Sequence, residues 1–187
     1  MKPGAGLLAC LLIASVLSLS ATAEEEGGDR WLLVDTVNNK LLVMAGTEMV
    51  STYEGIAIGR YGAAHDRMQG DHRTPVGRFR VAWVSDDSRF HRFLGLDFPD
   101  LETARRAYAD QRITAADWQA IRRAHQAGKI PPQNTPLGGQ IGLHGIGAGS
   151  PEVHGRYNWT NGCVALGNDE IDELLQWVRV GTRVDIR

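Results

Sequence analysis

The apolar positions of this chain change their period several times. Between residues 31 and 58 they come in short runs separated by turn-forming groups. Trp31–Asp35 and Leu41–Met44 are compact apolar runs, and Met49–Ile58 sets Val50, Thr52, Gly55 and Ala57 against polar or small neighbours. Asn38-Asn39 tolerates the positive φ of a two-residue turn, and Gly46-Thr47-Glu48 supplies a second turn. This pattern predicts three strands in a β-meander. Residues 59–77 then break every period with four Gly, one Pro, two His and several charges, which predicts a loop. Arg78–Ser85 returns to a period of two, with Phe79, Val81 and Trp83 on one face.

From residue 101 to 128 the spacing becomes helical. Leu101–Asp110 is one helical stretch. Thr114 with Asp117 forms a capping-box pattern, followed by Trp118, Ile121 and Ala124/His125 at helix spacing, with Gly128 as the stop. Pro131–Gly139 is a Pro/Gly loop, Ile141–His144 a short strand, and Gly147–Trp159 a Gly-rich connection. Asn168 is placed to cap a helix over Asp169–Val178, whose apolar face is Ile171, Leu174, Leu175 and Val178 and whose first turn is acidic. Gly181 turns the chain into a last strand, Arg183–Ile186. The expected fold is mainly β with a few helices (α+β): one domain over residues 31–187 with a helical insertion near 101–128. A length of 187 residues suits one such domain.

The N-terminus follows another pattern. Met1–Pro3 carries one Lys, Leu7–Leu19 is an apolar run, and Ala21-Thr22-Ala23 is a small-x-small cleavage site. This predicts a secretory signal peptide at residues 1–23, a lead-in at 24–30, and a periplasmic mature chain with no stable membrane insertion. A membrane anchor is the competing reading, but the apolar core is short for about 30 Å of hydrocarbon. Leu7-Leu8-Ala9-Cys10 has the look of a lipoprotein box, yet its apolar run follows the Cys instead of preceding it.

Composition narrows function further. An apolar fraction of 43% excludes wholesale disorder. The net charge of −2 becomes −3 once Lys2 is removed, which leaves no basic footprint for nucleic acid. The His residues show no metal-ligand spacing with one another or with Cys, so no metal or other cofactor is expected. Of the two cysteines, Cys10 lies in the signal peptide, leaving Cys163 without an internal disulfide partner.

Cys163 sits in Trp159-Thr160-Asn161-Gly162-Cys163-Val164-Ala165-Leu166, nineteen residues after His144 in Ile141-Gly142-Leu143-His144-Gly145. A nucleophilic Cys needs a base, a group that orients the base, and donors for an oxyanion. His144 at a strand end suits the base. Gly162 allows unusual backbone angles, so the N–H groups of Asn161, Gly162 and Cys163 can converge on one oxygen. His154 is a competing base, although its loop setting favours a surface or substrate contact. On spacing alone two readings stand: a nucleophile, or a small buried hydrophobe.

The flanking residues resemble the L,D-transpeptidase catalytic domain, also called the YkuD-type domain. That family has His-Gly after a short strand, then Ser/Thr-x-Gly-Cys, an apolar residue, and a downstream Asn-x-Asp/Glu. Here these are His144-Gly145, Thr160-Asn161-Gly162-Cys163-Val164 and Asn168-Asp169-Glu170. Gly70-Asp71-His72-Arg73-Thr74-Pro75-Val76-Gly77-Arg78-Phe79 is similar to a second family motif, and Pro136–Gly145 to a third. The resemblance covers roughly Trp31–Arg187. Two positions depart from the common pattern, with Asn161 where many members have His and Ala165 where many have Arg. The chain is similar to a subgroup with Trp-Thr-x-Gly-Cys-x-Ala-Leu.

The resemblance implies an L,D-transpeptidase-type β-sandwich acting on peptidoglycan stem peptides. Cys163 is the implied nucleophile, His144 the base, and the Gly145 carbonyl the group orienting His144. A nearby imidazole is expected to favour the thiolate as an ion pair. Thr160, Trp159, His154, Asn168, Thr74 and Asp71 are the expected substrate contacts. A wall-linked lipoprotein is an implied further partner. Three activities follow as alternatives: transfer to an amine acceptor, hydrolysis on the same scaffold, or wall binding without catalysis.

Overall fold

The computed structural model describes Met1 and residues 30–187, so the expected signal peptide and most of the lead-in lie outside the described residues. The meander is present: β1 (Arg30–Asp35), β2 (Lys40–Ala45) and β3 (Glu48–Glu54) pair antiparallel. Arg30, expected in the lead-in, is the first residue of β1, and its guanidinium stacks 4.4 Å from the Trp177 ring centroid. The third strand is shorter than Met49–Ile58. Gly55 turns the chain at φ +70°; Ile56 N still donates to Asn39 O at 3.1 Å, and the buried Ala57 and Ile58 leave the meander.

The expected loop holds two short strands, β4 (Ala63–Ala64) and β5 (Thr74–Pro75), paired with each other in parallel. Then come β6 (Gly77–Ser88) and β7 (His91–Leu96). The hydrophobic pattern did not mark β7, because His-Arg-Phe-Leu-Gly-Leu has no alternation to mark it. The helical insertion is a hairpin of α1 (Leu101–Ala109) and α2 (Ala115–Gln126). Asp100 caps α1, accepting from Glu102 N at 2.8 Å and Thr103 N at 2.9 Å. The Thr114/Asp117 capping box forms as its spacing requires, with Asp117 N on Thr114 Oγ1 at 3.1 Å and Thr114 N on Asp117 Oδ2 at 3.0 Å.

The C-terminal part contains β8 (Gly142–His144), the single turn α3 (Pro151–His154), β9 (Val164–Ala165), α4 (Asn168–Leu174) and β10 (Arg183–Ile186). Helix α4 departs from the expected Asp169–Val178. Its N-cap is Gly167, whose N–H donates to Glu170 Oε2 at 2.7 Å, and Asn168 is its first helical residue. Leu175, Trp177 and Val178 still pack on the core, but from turns instead of a helix.

Eight strands form one sheet in the order β3-β2-β1-β10-β6-β7-β8-β9. The twelve-residue β6 belongs to both halves. Gly77–Arg80 pairs with β10, and the remainder pairs with β7 across irregularities at Val81/Trp83 and Ser85/Ser88. Such bulges bend a strand and increase its twist. The bend lets the sheet fold back, and bridges Ala57↔Ala165 and Gly59↔Thr160 tie the segment after β3 to the β9 region. Both halves contribute to a single apolar core, Leu32, Val34 and Leu41 from one and Leu94, Leu143 and Val164 from the other. The α+β class and the sandwich-like enclosure of one core follow from this arrangement.

Candidate active site

The parallel pairing of β8 and β9 builds the site. Its register is Leu143↔Val164 and His144↔Ala165, which sets Cys163 beside Gly142. Alternate residues of a strand share a face, so His144 and Cys163 project from the same face. Both line one open cleft of about 860 Å³, together with Arg67, Gln140, Trp159 and Asn161.

A tight turn presents the cysteine. Thr160 Oγ1 donates to Cys163 O at 2.7 Å and accepts from Gly162 N at 3.1 Å. Gly162 has φ +128°, and a Cβ there would stand 2.7 Å from Arg73 O, so the position requires glycine. Cys163 is half-buried, and its thiol donates to Gln140 O at 3.4 Å.

His144 is 1% exposed and boxed by aromatic rings. Phe90 stacks on it at 4.2 Å, Phe93 lies parallel at 6.1 Å, and Trp159 meets it edge-on at 5.9 Å. His144 Nδ1 lies 2.7 Å from Gly145 O. A carbonyl only accepts, so Nδ1 carries the proton and Nε2 is left as the acceptor. Burial pushes His144 down to about 4. Burial also pushes the Cys163 thiol up to about 11, against the opposing pull of the Gly142 N–H and the Arg67 charge. Burial thus disfavours the charged form of each group, which works against the expected thiolate–imidazolium ion pair.

The other expected residues divide in two. Trp159, Thr160 and Asn161 line the cleft. Asn161 is exposed, and its Oδ1 accepts from Arg60 Nη2 at 2.8 Å. Of the three expected oxyanion donors, Gly162 has its N–H already committed to Thr160. The N–H groups of Asn161 and Cys163 meet no protein acceptor among the described residues.

Thr74, Asp71, Asn168 and His154 lie outside the cleft lining, and each makes hydrogen bonds within the protein. Thr74 is fully buried and accepts from Gly59 N at 2.8 Å. Asp71 accepts from Met68 N at 2.8 Å and Arg73 N at 2.9 Å, closing the loop between β4 and β5. Asn168 spans to Gly147, accepting from its N and donating to its O, each at 2.9 Å. His154 stands behind Trp159, whose indole N–H points at its Nδ1 at 3.4 Å.

Two features of the site had no sequence signal. Phe90 and Phe93 come from β7 and the turn before it, which the pattern passed over. Arg67 lies in the Gly-rich loop, 3% exposed, with its charge 3.6 Å from Asp71 Oδ1. The helical insertion holds that loop in place, through Arg106 Nη2 on His65 O at 3.0 Å and Arg112 Nη1 on Asp66 O at 3.3 Å.

Residues 29–186 match the family model of the YkuD L,D-transpeptidase catalytic domain. Among solved structures, the chain is similar to a mutant form of the helical cell shape determining protein Pgp2 from Campylobacter jejuni. The TM-score is 0.60 at 17% identity, covering 87% of this chain and 48% of that one. It is also similar to Bd1075 of Bdellovibrio bacteriovorus (TM-score 0.54, 20% identity, 88% and 50% covered). A third likeness is to a mutant L,D-transpeptidase of Enterococcus faecium (TM-score 0.50, 13% identity, 85% and 50% covered). The chain thus spans about half the length of each of these structures. No curated protein matches it by sequence.

Proposed function

Since this chain belongs to the YkuD family of L,D-transpeptidase catalytic domains, we propose that it is a cysteine-dependent L,D-transpeptidase acting on peptidoglycan stem peptides in the periplasm. The observation that supports this reading best is the pair itself. Cys163 and His144 project from one face of β8 and β9 into one cleft, with His144 Nε2 left as a proton acceptor.

The chemistry follows from the charge states. The Cys163 thiol proton passes to His144 Nε2 as Sγ attacks the carbonyl of the third stem residue. Burial disfavours a standing thiolate, so negative charge develops on Sγ as its proton moves to Nε2. The carbonyl electrons move onto oxygen, where the Asn161 and Cys163 N–H groups stabilise them. Each such donor is typically worth about 10²–10³ in rate. The tetrahedral centre collapses, the C–N bond breaks, and D-Ala leaves with the proton from His144. An imidazolium in an aromatic box is a strong acid, which suits this return of the proton. The amine of a second stem then attacks the thioester carbonyl and His144 takes the amine proton; the C–S bond breaks, the acyl group stays on the new amide, and His144 returns the proton to Cys163 Sγ. A lipoprotein lysine is an alternative acceptor.

Hydrolysis is the second reading, favoured by the openness of the cleft at a half-buried Cys163, which admits water to the thioester. Mass spectrometry of products from tetrapeptide muropeptides separates the two. Cross-linked dimers are expected, and trimmed monomers alone would replace transfer by hydrolysis. Cys163→Ala is expected to lower either product by at least about 10³-fold with the fold intact. Product at the wild-type rate from that variant would overturn the assignment of the nucleophile.

A further inference from the structure

Burying a guanidinium is costly unless a carboxylate pairs closely with it and its N–H groups are hydrogen-bonded. Arg67 meets neither condition fully. Its side chain is 4% exposed, and its one ion pair among the described residues, to Asp71 Oδ1, is long at 3.6 Å. Nη2 donates to Met68 O at 3.3 Å, while Nε and Nη1 have no hydrogen-bond partner among the described residues. The Asp71 carboxylate is already divided between two backbone N–H groups.

This partly compensated charge, with the Phe98 ring centroid 5.4 Å from Cζ, lies against the reactive turn. A Cβ on Gly162, the residue before Cys163, would stand 3.6 Å from Arg67 Cζ, and one on Gly138 would stand 3.6 Å from Nη1. Neither residue has a side chain to cover the guanidinium. The remaining charged or titratable groups facing the cleft are placed differently. Arg60 is engaged with Asn161, Arg89 lies over the Phe90 ring, His72 packs beside Tyr61, and Asp87 is exposed. His144 is neutral in its aromatic box.

We propose that Arg67 is a positioning residue for the reaction: its buried, half-compensated positive charge beneath Gly162 stabilises the negative charge that develops on Cys163 Sγ as the thiol proton leaves. The Coulombic coupling is mutual, with Arg67 drawing the Cys163 thiol down and Cys163 holding the Arg67 proton more firmly. This deepens the proposed function and rests on Cys163 being the reactive thiol, but its test needs no peptidoglycan.

The probe is iodoacetamide on the full-length protein between pH 7 and 10, with alkylation read at the Cys163 peptide apart from Cys10. The Cys163 thiolate displaces iodide, an S–C bond forms, and the thiol proton goes to solvent. Arg67→Met is expected to slow alkylation at fixed pH by about tenfold, one unit of thiol pKa. Arg67→Lys is expected to restore most of the rate. The thermal midpoint of Arg67→Met is expected to hold or rise, since a poorly compensated buried charge is gone. Wild-type alkylation rates in Arg67→Met would overturn the proposal, as would equal losses in the Lys and Met variants. If Arg67→Met does not fold, Arg67→Gln takes its place, and a Gln rate equal to the Lys rate would overturn it. Absence of transpeptidase product from the wild type, with these rates in the expected order, would fault the substrate assignment and leave Arg67's role standing.

Discussion

Leu32, Leu41 and Val184 hold β1, β2 and β10 together by packing apolar side chains at zero exposure. Around the strands that carry the reactive pair, the packing of Leu143 and Val164 is joined by a second device, the missing side chains of Gly142 and Gly145. A Cβ on Gly142 would collide with Leu94 O, and one on Gly145 would stand 2.6 Å from Asn168 Oδ1. The first half of the sheet has strands of four to seven residues, while β8 has three and β9 two. One half is a packing device. The other is a backbone device, which brings His144 and Cys163 onto one face at a spacing that side-chain packing alone would not fix.

The comparison breaks most visibly with a pair of substitutions of similar cost. Leu41→Ala removes a fully buried side chain and is expected to cost about 3 kcal/mol. Gly142→Ala forces a methyl into the Leu94 carbonyl and is expected to cost about the same. Urea midpoints measure both. The difference lies in chemistry. Folded Leu41→Ala should alkylate at Cys163 like the wild type, whereas Gly142→Ala should not, because it shifts β8 against β9. Equal reactivity in the two variants would erase the distinction between the halves.

The same distinction governs what could be read from the residues alone. The meander, the capping box at Thr114 and the last strand follow local patterns, with apolar runs between turn residues or a cap three positions from its acid. Cys163 and His144 were legible because their neighbours resemble a family motif. Strand β7 was not, since its partners β6 and β8 define it and its own residues do not alternate. Asn168 shows the opposite failure. It has the chemistry of an N-cap, yet tertiary contact turns its amide to Gly147 and leaves capping to Gly167 and Glu170. Arg67 left no local trace, because its surroundings come from Asp71, Gly138 and Gly162 together.

A sharper test uses pH. The folded His144 titrates at about 4, below its ordinary 6.5, because burial disfavours the imidazolium. The unfolded chain therefore binds this proton first as pH falls. His144's contribution to stability is complete above about pH 6.5, declines through the window from 6.5 to 4, and is lost below it. The shift is worth about 3 kcal/mol. Carboxylates titrate in the same range, so the observable is a difference. The stability lost between pH 7 and pH 4 should be about 3 kcal/mol smaller in His144→Asn than in the wild type. Equal losses would mean that the aromatic box does not hold the imidazole neutral.

The helical hairpin supplies the smallest effect and asks which half it serves. Thr114→Ala removes the hydroxyl that accepts from Asp117 N, and losing such a cap costs about 1 kcal/mol. The contacts that hold the Arg67 loop come from elsewhere in the hairpin, from Arg106 in α1 and from Arg112 before the Thr114 cap. Thr114→Ala should therefore lower the urea midpoint slightly and leave the Cys163 alkylation rate unchanged. If the rate falls with the midpoint, the cap is coupled to the cleft, and the hairpin belongs with the backbone device around β8 and β9 instead of with the packed half of the sheet.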